Sequence, residues 1–493
     1  MSAGRRVVVI GGGLAGIAAA LDCAAAGAQV TLLEVRRRLG GAAYSFERDG
    51  LEIDNGQHVL LRSCTAYRAL LDRLGSGHRV SIQPRLEIPV LKPGLKRTVL
   101  RRGALPAPLH LAGSLARYPH LSVRERASAA RAALALARLE PREEALDRST
   151  FGDWLSSHGQ GPHAVSALWD LIALPALNLP AAQASLALAA FVFRNGLLSG
   201  ADAGDIGFHV ATLGQTIGEP AARALLHAGV EVRLGWRAER LERTATGVEV
   251  HGRGGRSFEL QGEGGGEDGG DEGEAGAGDQ EMEGLSAEAV IVAVPHARAA
   301  GLLEPLMGDA VRKLQALGSS PIVNLHVVYD RPVCEERFAA GVGTPVQYLF
   351  DRTSAAGAPS GCQYLAVSLS GAEREMRMSV NALRERYLQA LKELLPRARQ
   401  AKVERFMVTR EHAATFRAAP GVAALRPGPE TSVPGLVLAG AWTDTGWPAT
   451  LEGAVLSGHA AAEAALRALG VEPGGRSSVG MVGLVGPAGA GAP

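Results

Sequence analysis

The sequence contains few cysteines, few aromatic residues and no excess of charge of either sign. Its 493 residues include four cysteines, Cys23, Cys64, Cys334 and Cys362, which stand far apart and form no CxxC pair. This spacing excludes a disulfide framework and lacks the pattern of a zinc site, so we expect no metal. Lys and Arg number 51 and Asp and Glu 50, and a net charge of +1 argues against a nucleic-acid partner.

Long apolar runs are also missing. The N-terminal run VVVI is short and is not followed by a small-residue cleavage site, which argues against a secretory signal. The longest apolar stretch, residues 171–193, is interrupted by prolines and polar residues, whereas a spanning helix needs about 20 apolar residues. We therefore expect a cytoplasmic protein. Because 46% of the residues are hydrophobic, wholesale disorder is excluded and the length suits a large enzyme-like core.

Residues 5–34 have the pattern of a β-turn-α-β unit. A β-branched run is followed by Gly11, Gly13 and Gly16, then by an Ala- and Leu-rich helical stretch and a second apolar run. The glycines form a GxGxxG motif, which allows a tight turn and brings the backbone and a helix N-terminus close to a diphosphate. Glu34 stands 18 residues after Gly16, where an acid can accept hydrogen bonds from ribose hydroxyls.

Three further segments separate a flavin from a nicotinamide dinucleotide. Arg38, Gly40 and Gly41 follow Glu34 almost immediately and place a second glycine pair where a backbone passes the same diphosphate. Residues 54–58, DNGQH, form a dense polar cluster. Residues 439–458, AGAWTDTGWPATLEGAVLSG, join a buried strand to a helix through a turn rich in Gly, Trp and Pro.

Together these segments resemble the FAD-dependent amine oxidase and phytoene desaturase superfamily. The resemblance implies an α/β fold with a Rossmann-like FAD-binding domain of the glutathione reductase type. It also implies a second, discontinuous α+β substrate domain containing a helical insert. The FAD-contacting residues that it implies are Gly11, Gly13, Gly16, Glu34, Arg38, Gly40, Gly41, Gln57, Ala238, Gly440, Thr450, Leu451 and Glu452. In that set the last three meet the pyrimidine edge of the flavin, and the backbone of Ala238 meets the adenine.

The expected domains are assembled from separated pieces of chain. The FAD-binding domain takes residues 1–80, 206–318 and 425–470, and the substrate domain takes 81–205, which is helical and membrane-facing, and 319–424. Residues 252–284 are dominated by Gly, Glu and Asp and are expected to form a disordered acidic loop, as is the tail, 471–493.

Two long blocks, DNGQHVLL and WTDTGWPATLEGAVLSG, resemble the hydroxysqualene dehydroxylases within this superfamily. The resemblance implies reductive removal of an allylic hydroxyl from hydroxysqualene to give squalene in hopanoid synthesis. The reaction needs an acid, for which His58, Asp444 and Asp54 are the candidates. The sequence departs from the family at Ala441, where an acid normally follows AG, so Asp444 or a backbone group would have to substitute.

Two other functions stay open at this stage. One keeps the flavin but performs carotenoid desaturation or amine oxidation, although the flavin-proximal segments lack an evident lysine. The other is a flavin-free carrier of prenyl groups, against which the complete glycine set argues.

The expected partner is a hydrophobic isoprenoid. Contact with enzymes of the squalene pathway and peripheral contact with the inner face of the cytoplasmic membrane are left open. For the membrane contact, residues 168–198 offer an apolar surface, and Arg101, Arg102, Arg117 and Arg124 suit anionic headgroups.

Overall fold

A computed structural model describes residues 5–254 and 281–471. The strands are β1 (Arg6–Ile10), β2 (Gln29–Glu34), β3 (Ser45–Arg48), β4 (Leu51–Asp54), β5 (Val59–Leu61), β6 (Val80–Ile82), β7 (Glu87–Leu91), β8 (Thr98–Arg101), β9 (Ile206–His209), β10 (Glu231–Leu234), β11 (Trp236–Arg243), β12 (Val248–Gly254), β13 (Glu283–Ala287), β14 (Ala289–Val292), β15 (Ser319–Tyr329), β16 (Phe338–Gly341), β17 (Tyr348–Asp351), β18 (Gln363–Ser370), β19 (Val403–Phe416) and β20 (Leu436–Leu438).

The α-helices are α1 (Leu14–Ala25), α2 (Thr65–Arg73), α3 (Ala112–Ala116), α4 (Val123–Leu136), α5 (Glu144–Asp147), α6 (Phe151–Ser157), α7 (Pro162–Ala164), α8 (Asp170–Leu177), α9 (Leu186–Phe193), α10 (Glu219–His227), α11 (His296–Met307), α12 (Arg312–Ala316), α13 (Glu373–Met376), α14 (Val380–Leu394) and α15 (Leu451–Ala468). Short 3₁₀ and π turns connect several of them, including a π turn at Gly214–Gly218 that precedes α10.

A five-stranded parallel sheet forms the first layer, in the order β10-β2-β1-β14-β20. Its central strands are buried on both faces, as their continuous apolar sequence dictates. On one face Val7 and Val9 pack with α1, α2 and α15. On the other face Val8 and Ile10 pack with α11 and with the antiparallel sheet β11-β12-β13. This arrangement confirms the expected Rossmann-like α/β fold of the glutathione reductase type.

A second sheet has seven strands in the order β19-β15-β18-β17-β16-β7-β8. Its pairings are antiparallel except that of β16 with β7. One face packs on α14 through residues such as Val323, Leu325 and Leu383. The opposite face turns towards the helical segments α4 to α9 and the hairpin β3-β4. Two small sheets, β3-β4 and β5-β9-β6, lie between the large ones in sequence.

The segment expected to be helical, 81–205, begins differently. Residues 87–101 form β7 and β8 and close one edge of the seven-stranded sheet, because their alternating apolar residues suit a half-buried strand. The apolar stretch 168–198 does not form the exposed apolar surface that was expected. Its residues, among them Leu171, Leu177, Leu186 and Phe193, are buried in the largest core cluster. Within the described ranges, no helix combines the length and the apolar character needed to cross a bilayer.

Both ends of the expected acidic loop, 252–284, belong to strands. Residues 252–254 belong to β12 and Glu283 and Gly284 to β13, and the two strands pair as an antiparallel hairpin. Residues 255–280 and the tail from 472 lie outside the described residues. The limits of the two expected domains stay a prediction.

Candidate functional site

The carboxyl ends of β1, β14 and β20 meet at one edge of the parallel sheet. Gly11 donates its N–H to Leu33 at 2.7 Å, and its φ of +113° suits glycine alone. A Cβ on Gly11 would stand 2.5 Å from the carbonyl oxygen of Ala293, and one on Gly16 would stand 1.9 Å from that of Gly11. The turn is therefore built on close backbone contacts that exclude side chains.

The second glycine pair lies against the first. Gly40 donates its N–H to the carbonyl of Gly12 at 2.9 Å, and a Cβ on Gly41 would come within 2.8 Å of the Cα of Gly13. Gly13 begins α1, and within the described residues no side chain caps that end and no acid stands in its first turn. The N–H groups of the first turn of α1, with the positive end of the helix dipole, form a cradle for a diphosphate.

Glu34 ends β2 beside this cradle. Its Oε2 accepts the N–H of Gly12 at 2.6 Å and its Oε1 accepts that of Arg36 at 2.8 Å. The side chain is buried, so the carboxylate is held by the backbone, and its remaining lone pairs can accept ribose hydroxyls. The turn between β10 and β11 adjoins it, because Gly235 donates to the carbonyl of Arg36 at 3.0 Å.

Arg38 and Ala238 flank the same region. The guanidinium of Arg38 lies over the ring of Tyr44, 3.4 Å from its centroid, and donates to the carbonyl of Gly41 at 3.3 Å. Ala238 is buried in β11, next to a bulge that interrupts its pairing with β12. Such a bulge leaves backbone groups outside the strand ladder, which suits the predicted backbone contact to adenine.

Asp54 lies at the end of β4 and is fully engaged by the protein. Its Oδ1 accepts from Ser45 Oγ at 2.7 Å and from the N–H of Leu213 at 2.8 Å. Its Oδ2 pairs with Arg352 at 2.8 Å; the side chain of Asp54 is buried and that of Arg352 is 11% exposed. Arg352 also donates to the carbonyls of His209 and Ala211. This network gives Asp54 a structural role that competes with the predicted acid role.

His58 stands on the loop between β4 and β5. Its Nδ1 donates to the carbonyl of Gly56 at 3.2 Å, and burial lowers the pKa of the imidazole below its usual 6.5, although the nearby Asp54 carboxylate opposes this. In the neutral ring Nδ1 carries the proton, so Nε2 has none to give. His58 can therefore act as an acid from Nε2 only in its protonated form.

Two buried polar atoms beside His58 have no partner in the described protein. They are Nε2 of Gln57 and Oδ1 of Asn324. Asn324 is anchored through its Nδ2, which donates to the carbonyl of Asn55 at 2.9 Å. Asn55 in turn donates to Glu411 at 2.8 Å. One unused donor and one unused acceptor are thus held in place next to the predicted flavin-binding segments, where a bound group would satisfy them.

The loop after β20 completes the sheet edge. Gly440 has a φ of +138° and donates to Ser457 Oγ on α15 at 2.8 Å, and Trp442 donates to the carbonyl of Val294 at 2.9 Å. The carbonyl of Ala441 accepts from the buried Arg426, which also binds the carbonyl of Thr443. The loop is therefore fixed by this arginine where the family acid is missing.

Asp444 is exposed on that loop and its Oδ1 accepts the N–H of Gly446 at 3.1 Å. Of the three predicted acids, Asp54 ends β4 and His58 stands on the loop that follows it, whereas Asp444 stands on the loop after β20.

Helix α15 begins directly after this loop. Thr450 is its N-cap and accepts the N–H of Gly453 at 3.1 Å, and the half-buried Leu451 is its first residue. The carboxylate of Glu452 turns away to the start of α2, where it accepts the N–H groups of Ala66 and Tyr67 at 2.9 and 2.7 Å. Only the backbone of Glu452 is left for the predicted contact with the pyrimidine edge.

The polar site continues into an apolar face of the seven-stranded sheet. Cross-strand partners share a face of the sheet. Asn324 pairs with Ser368, which pairs with Tyr348 on the next strand. In the neighbouring row His326 pairs with Ala366, and the row continues through Phe350 to Phe338. Phe338 lies 6.1 Å from Phe350 and 4.7 Å from Phe208 between ring centroids. A cleft of about 230 Å³ opens at Phe338 and Phe208 and is also lined by Pro84, Pro89 and Arg97.

Several site residues were missed from the sequence. Asn324 and His326 interrupt an apolar strand at alternate positions, which indicates a polar patch on one sheet face and was available as a signal. Glu411, Arg352 and Arg426 carried no such signal, because nothing in the local pattern shows that they reach a loop distant in sequence.

The residues fit FAD. The cradle at Gly13 and Gly41 lacks the side chains that would fill it, the helix N-terminus above it is uncapped, and Glu34 lies where an adenosine ribose follows the diphosphate. Gly440 and the start of α15 lie across the same sheet edge. The fitting residues thus include the GxGxxG turn, the pair Gly40 and Gly41, and the loop at Gly440, which is the extended set of contacts that a dinucleotide requires.

Comparison with known proteins agrees with this geometry. The model of the family described as flavin containing amine oxidoreductase matches residues 14–466. A hydroxysqualene dehydroxylase of Rhodopseudomonas palustris is 31% identical over 473 residues, which cover 94% of this chain and 99% of the relative. A probable zeta-carotene desaturase of Synechococcus elongatus is 23% identical over 504 residues, covering 94% and 99%.

Among solved structures, cyclohexylamine oxidase from Brevibacterium oxydans shares the fold with a TM-score of 0.68 at 20% identity, covering 95% of this chain and 100% of that one. The family match spans every element that forms the sheet edge except β1, which precedes it. From the fold, the glycine cradle and these matches together, we conclude that this chain belongs to the flavin containing amine oxidoreductase family and is an FAD-dependent oxidoreductase.

Proposed function

We propose that this enzyme reductively removes the hydroxyl group of hydroxysqualene and releases squalene and water. The single observation that carries the proposal is the sheet face on which Asn324 and His326 continue into Phe350 and Phe338. From β15 to β16 this row crosses three strand spacings, about 14 Å. A long hydrocarbon can lie along it while its polar end reaches Gln57, His58 and Asn324. The hydroxysqualene dehydroxylase matched above supports this choice of substrate.

The reaction replaces a C–O bond by a C–H bond. When bound and reduced, FAD supplies the hydride. The hydride adds to the allylic carbon, and the hydroxyl leaves with one proton as water. The chain must therefore hold the dinucleotide, exclude bulk water from the developing cationic carbon and deliver the proton. Phe338 and Phe350, together with the buried helices α4 to α9, exclude water from this face.

The proton comes from protonated His58 in this proposal, with Gln57 and Asn324 orienting the hydroxyl. The unpartnered Gln57 Nε2 can donate to the oxygen and the unpartnered Asn324 Oδ1 can accept from it. Asp54 contributes through charge, because its carboxylate favours the protonated imidazole. Asp444 is not assigned a role.

The direct test is product analysis with flavin-loaded enzyme. We expect anaerobically reduced protein to convert hydroxysqualene to squalene with water as the other product, measured by gas chromatography and mass spectrometry. Zeta-carotene and a primary amine are the parallel substrates. Turnover of either one without squalene formation would overturn the proposal. Gly13→Ala, which is expected to bind FAD more weakly, is assayed in parallel without added FAD and should form less squalene.

We further propose that the enzyme meets its substrate at the inner face of the cytoplasmic membrane. A long isoprenoid alcohol partitions into lipid, so a peripheral enzyme collects it there more readily than from water. Association with other enzymes of the squalene pathway would serve the same purpose, and co-purification of the tagged protein with such enzymes would test it.

A further inference from the structure

The most exposed of the large apolar side chains in the described part of the chain lie in one short region. Among the large hydrophobic side chains that are exposed in the described part of the chain, four reach an exposed fraction of 50% or more. They are Leu95 at 55%, Leu105 at 55%, Leu109 at 50% and Val123 at 76%. All four lie within residues 95–123 of the chain.

The same part of the chain is strongly basic. Residues 91–126 contain eight Lys and Arg and a single acid, Glu125, a net charge of +7 in a chain whose total is +1. Arg97 and Arg102 are paired with Glu336 and Asp205 from elsewhere in the chain. Four others are exposed and have no carboxylate partner among the described residues, namely Lys96, Arg101, Arg117 and Arg124.

These residues belong to a continuous surface. β8, the edge strand of the seven-stranded sheet, is bound at both ends to the segment that follows it. Thr98 Oγ1 lies 3.0 Å from Nε2 of His120, three residues before Val123. At the other end the N–H of Arg101 donates to Ser114 Oγ at 2.9 Å, and Gly103 donates to the carbonyl of His110, next to Leu109. We name this surface, residues 95–124, the basic apolar surface.

We propose that the basic apolar surface docks the enzyme on an anionic phospholipid bilayer, with Leu95, Leu105, Leu109 and Val123 inserted and the four unpaired cations on the headgroups. Exposed apolar side chains among cations are the combination that binds such an interface. The surface adjoins the cleft at Phe338, since Arg97, which lines the cleft, follows Leu95 and Lys96 directly. A lipid-dissolved substrate would thus enter beside the docking site. The proposal rests on the proposed function only for that last step.

Vesicle flotation tests the docking. The full-length, flavin-loaded protein is mixed with vesicles of phosphatidylcholine alone or with added phosphatidylglycerol. We expect binding to the anionic vesicles, loss of that binding at raised salt, and little binding to phosphatidylcholine. Arg101→Ser, Arg117→Ser and Arg124→Ser combined should weaken binding roughly 100-fold, because each basic residue near an anionic surface contributes about fivefold.

A second triple variant removes the apolar part of the surface. Leu95→Ser, Leu105→Ser and Leu109→Ser combined should weaken binding at least about tenfold, since inserted apolar area is lost. Matched controls change exposed residues elsewhere: Arg298→Ser with Arg374→Ser and Arg377→Ser, and Leu134→Ser with Leu226→Ser and Val380→Ser. Both controls should bind as the unchanged protein does.

Unchanged vesicle binding by both surface variants would overturn the proposal, as would equal losses in the control variants. Sedimentation velocity tests whether a second copy of the chain covers this surface instead. If the protein bound no vesicles and formed a dimer that the surface variants dissociate, the proposal would be overturned and the surface would be an interface between copies of the chain. Flavin content and thermal midpoint verify that each variant is folded. Vesicle binding needs no turnover, so it can fail or succeed independently of the hydroxysqualene assay.

Discussion

At the scale of single residues, a substitution at Gly13 should weaken cofactor binding without affecting folding. Its φ and ψ, −78° and 178°, are open to any residue, and an added Cβ would meet only the Cα of Gly41, at 3.7 Å. Gly13→Ala should therefore leave the fold intact but place a methyl group in the diphosphate cradle. We expect FAD affinity to fall about 10- to 100-fold, measured by flavin fluorescence quenching on titration of the apoprotein.

Gly161 offers a matched control for that substitution. It also begins a helix, with a φ of −78° and a ψ of 167°, and a Cβ there would meet nothing within 4 Å. Gly161→Ala should keep full FAD affinity. Equal affinity in Gly13→Ala would contradict the assignment of the cradle.

His58 determines the expected pH dependence of turnover. Burial lowers its pKa below 6.5, and its acid form predominates only below that pKa. The rate with saturating substrate should therefore fall as pH rises through a value below the ordinary range of histidine. In His58→Ala this limb should disappear and the rate should drop about 100-fold or more, since general acid catalysis contributes 10²- to 10⁴-fold. If the His58→Ala variant kept the same pH-dependent fall in rate as the unchanged protein, the role of His58 would be rejected.

At the scale of elements, the buried ion pair of Asp54 and Arg352 holds three segments together. It connects β4, the end of β17 and the loop after β9, through the contacts of Arg352 with the carbonyls of His209 and Ala211. Removing one partner leaves an uncompensated buried charge. Arg352→Met should therefore lower the free energy of unfolding by about 3–5 kcal/mol, measured by urea denaturation.

The paired variant tests the cause of that loss. Arg352→Met combined with Asp54→Asn should recover part of the stability, because no unpaired charge remains. Arg397→Met removes an exposed pair with Glu335, whose side chains are 61% and 75% exposed, and should cost less than about 1 kcal/mol. If the double variant were no more stable than Arg352→Met, buried charge would not be the cause.

The element boundaries show where sequence patterns suffice. The β-turn-α-β unit at the N-terminus and the helix that follows the turn rich in Gly, Trp and Pro were predicted, because periodicity and glycine position report them locally. β7 and β8 were assigned to a helical region, because their short alternation is completed only by pairing with β16, far along the chain.

At the scale of the whole molecule, buried histidines link stability to pH. Burial lowers the pKa of His209 and of His326 to about 3, whereas each titrates near 6.5 when exposed. Their neutral forms favour the folded state, so this contribution is fully present above about 6.5 and is lost progressively as the pH falls towards 3. The free energy of unfolding should therefore decline over that range.

Urea unfolding at a series of pH values measures this decline. His326→Gln should reduce its slope, whatever the absolute stability of the variant, because one buried imidazole no longer takes up a proton on unfolding. His412→Gln, at an exposed site, should keep the slope of the unchanged protein. An identical slope in His326→Gln would show that other groups cause the acid sensitivity.

The sequence by itself determined the cofactor half of this protein. GxGxxG, Glu34, the second glycine pair and the C-terminal block act through backbone geometry and short spacing, so their roles can be inferred without knowing the fold. Only the tertiary structure decided that Asp54 is bound to Arg352, that Glu452 caps α2 and that residues 168–198 are core. It also decided that the large apolar side chains with at least 50% exposure in the described part of the chain lie at 95–123. Burial and long-range pairing depend on which distant segments meet, and local periodicity carries no information about that.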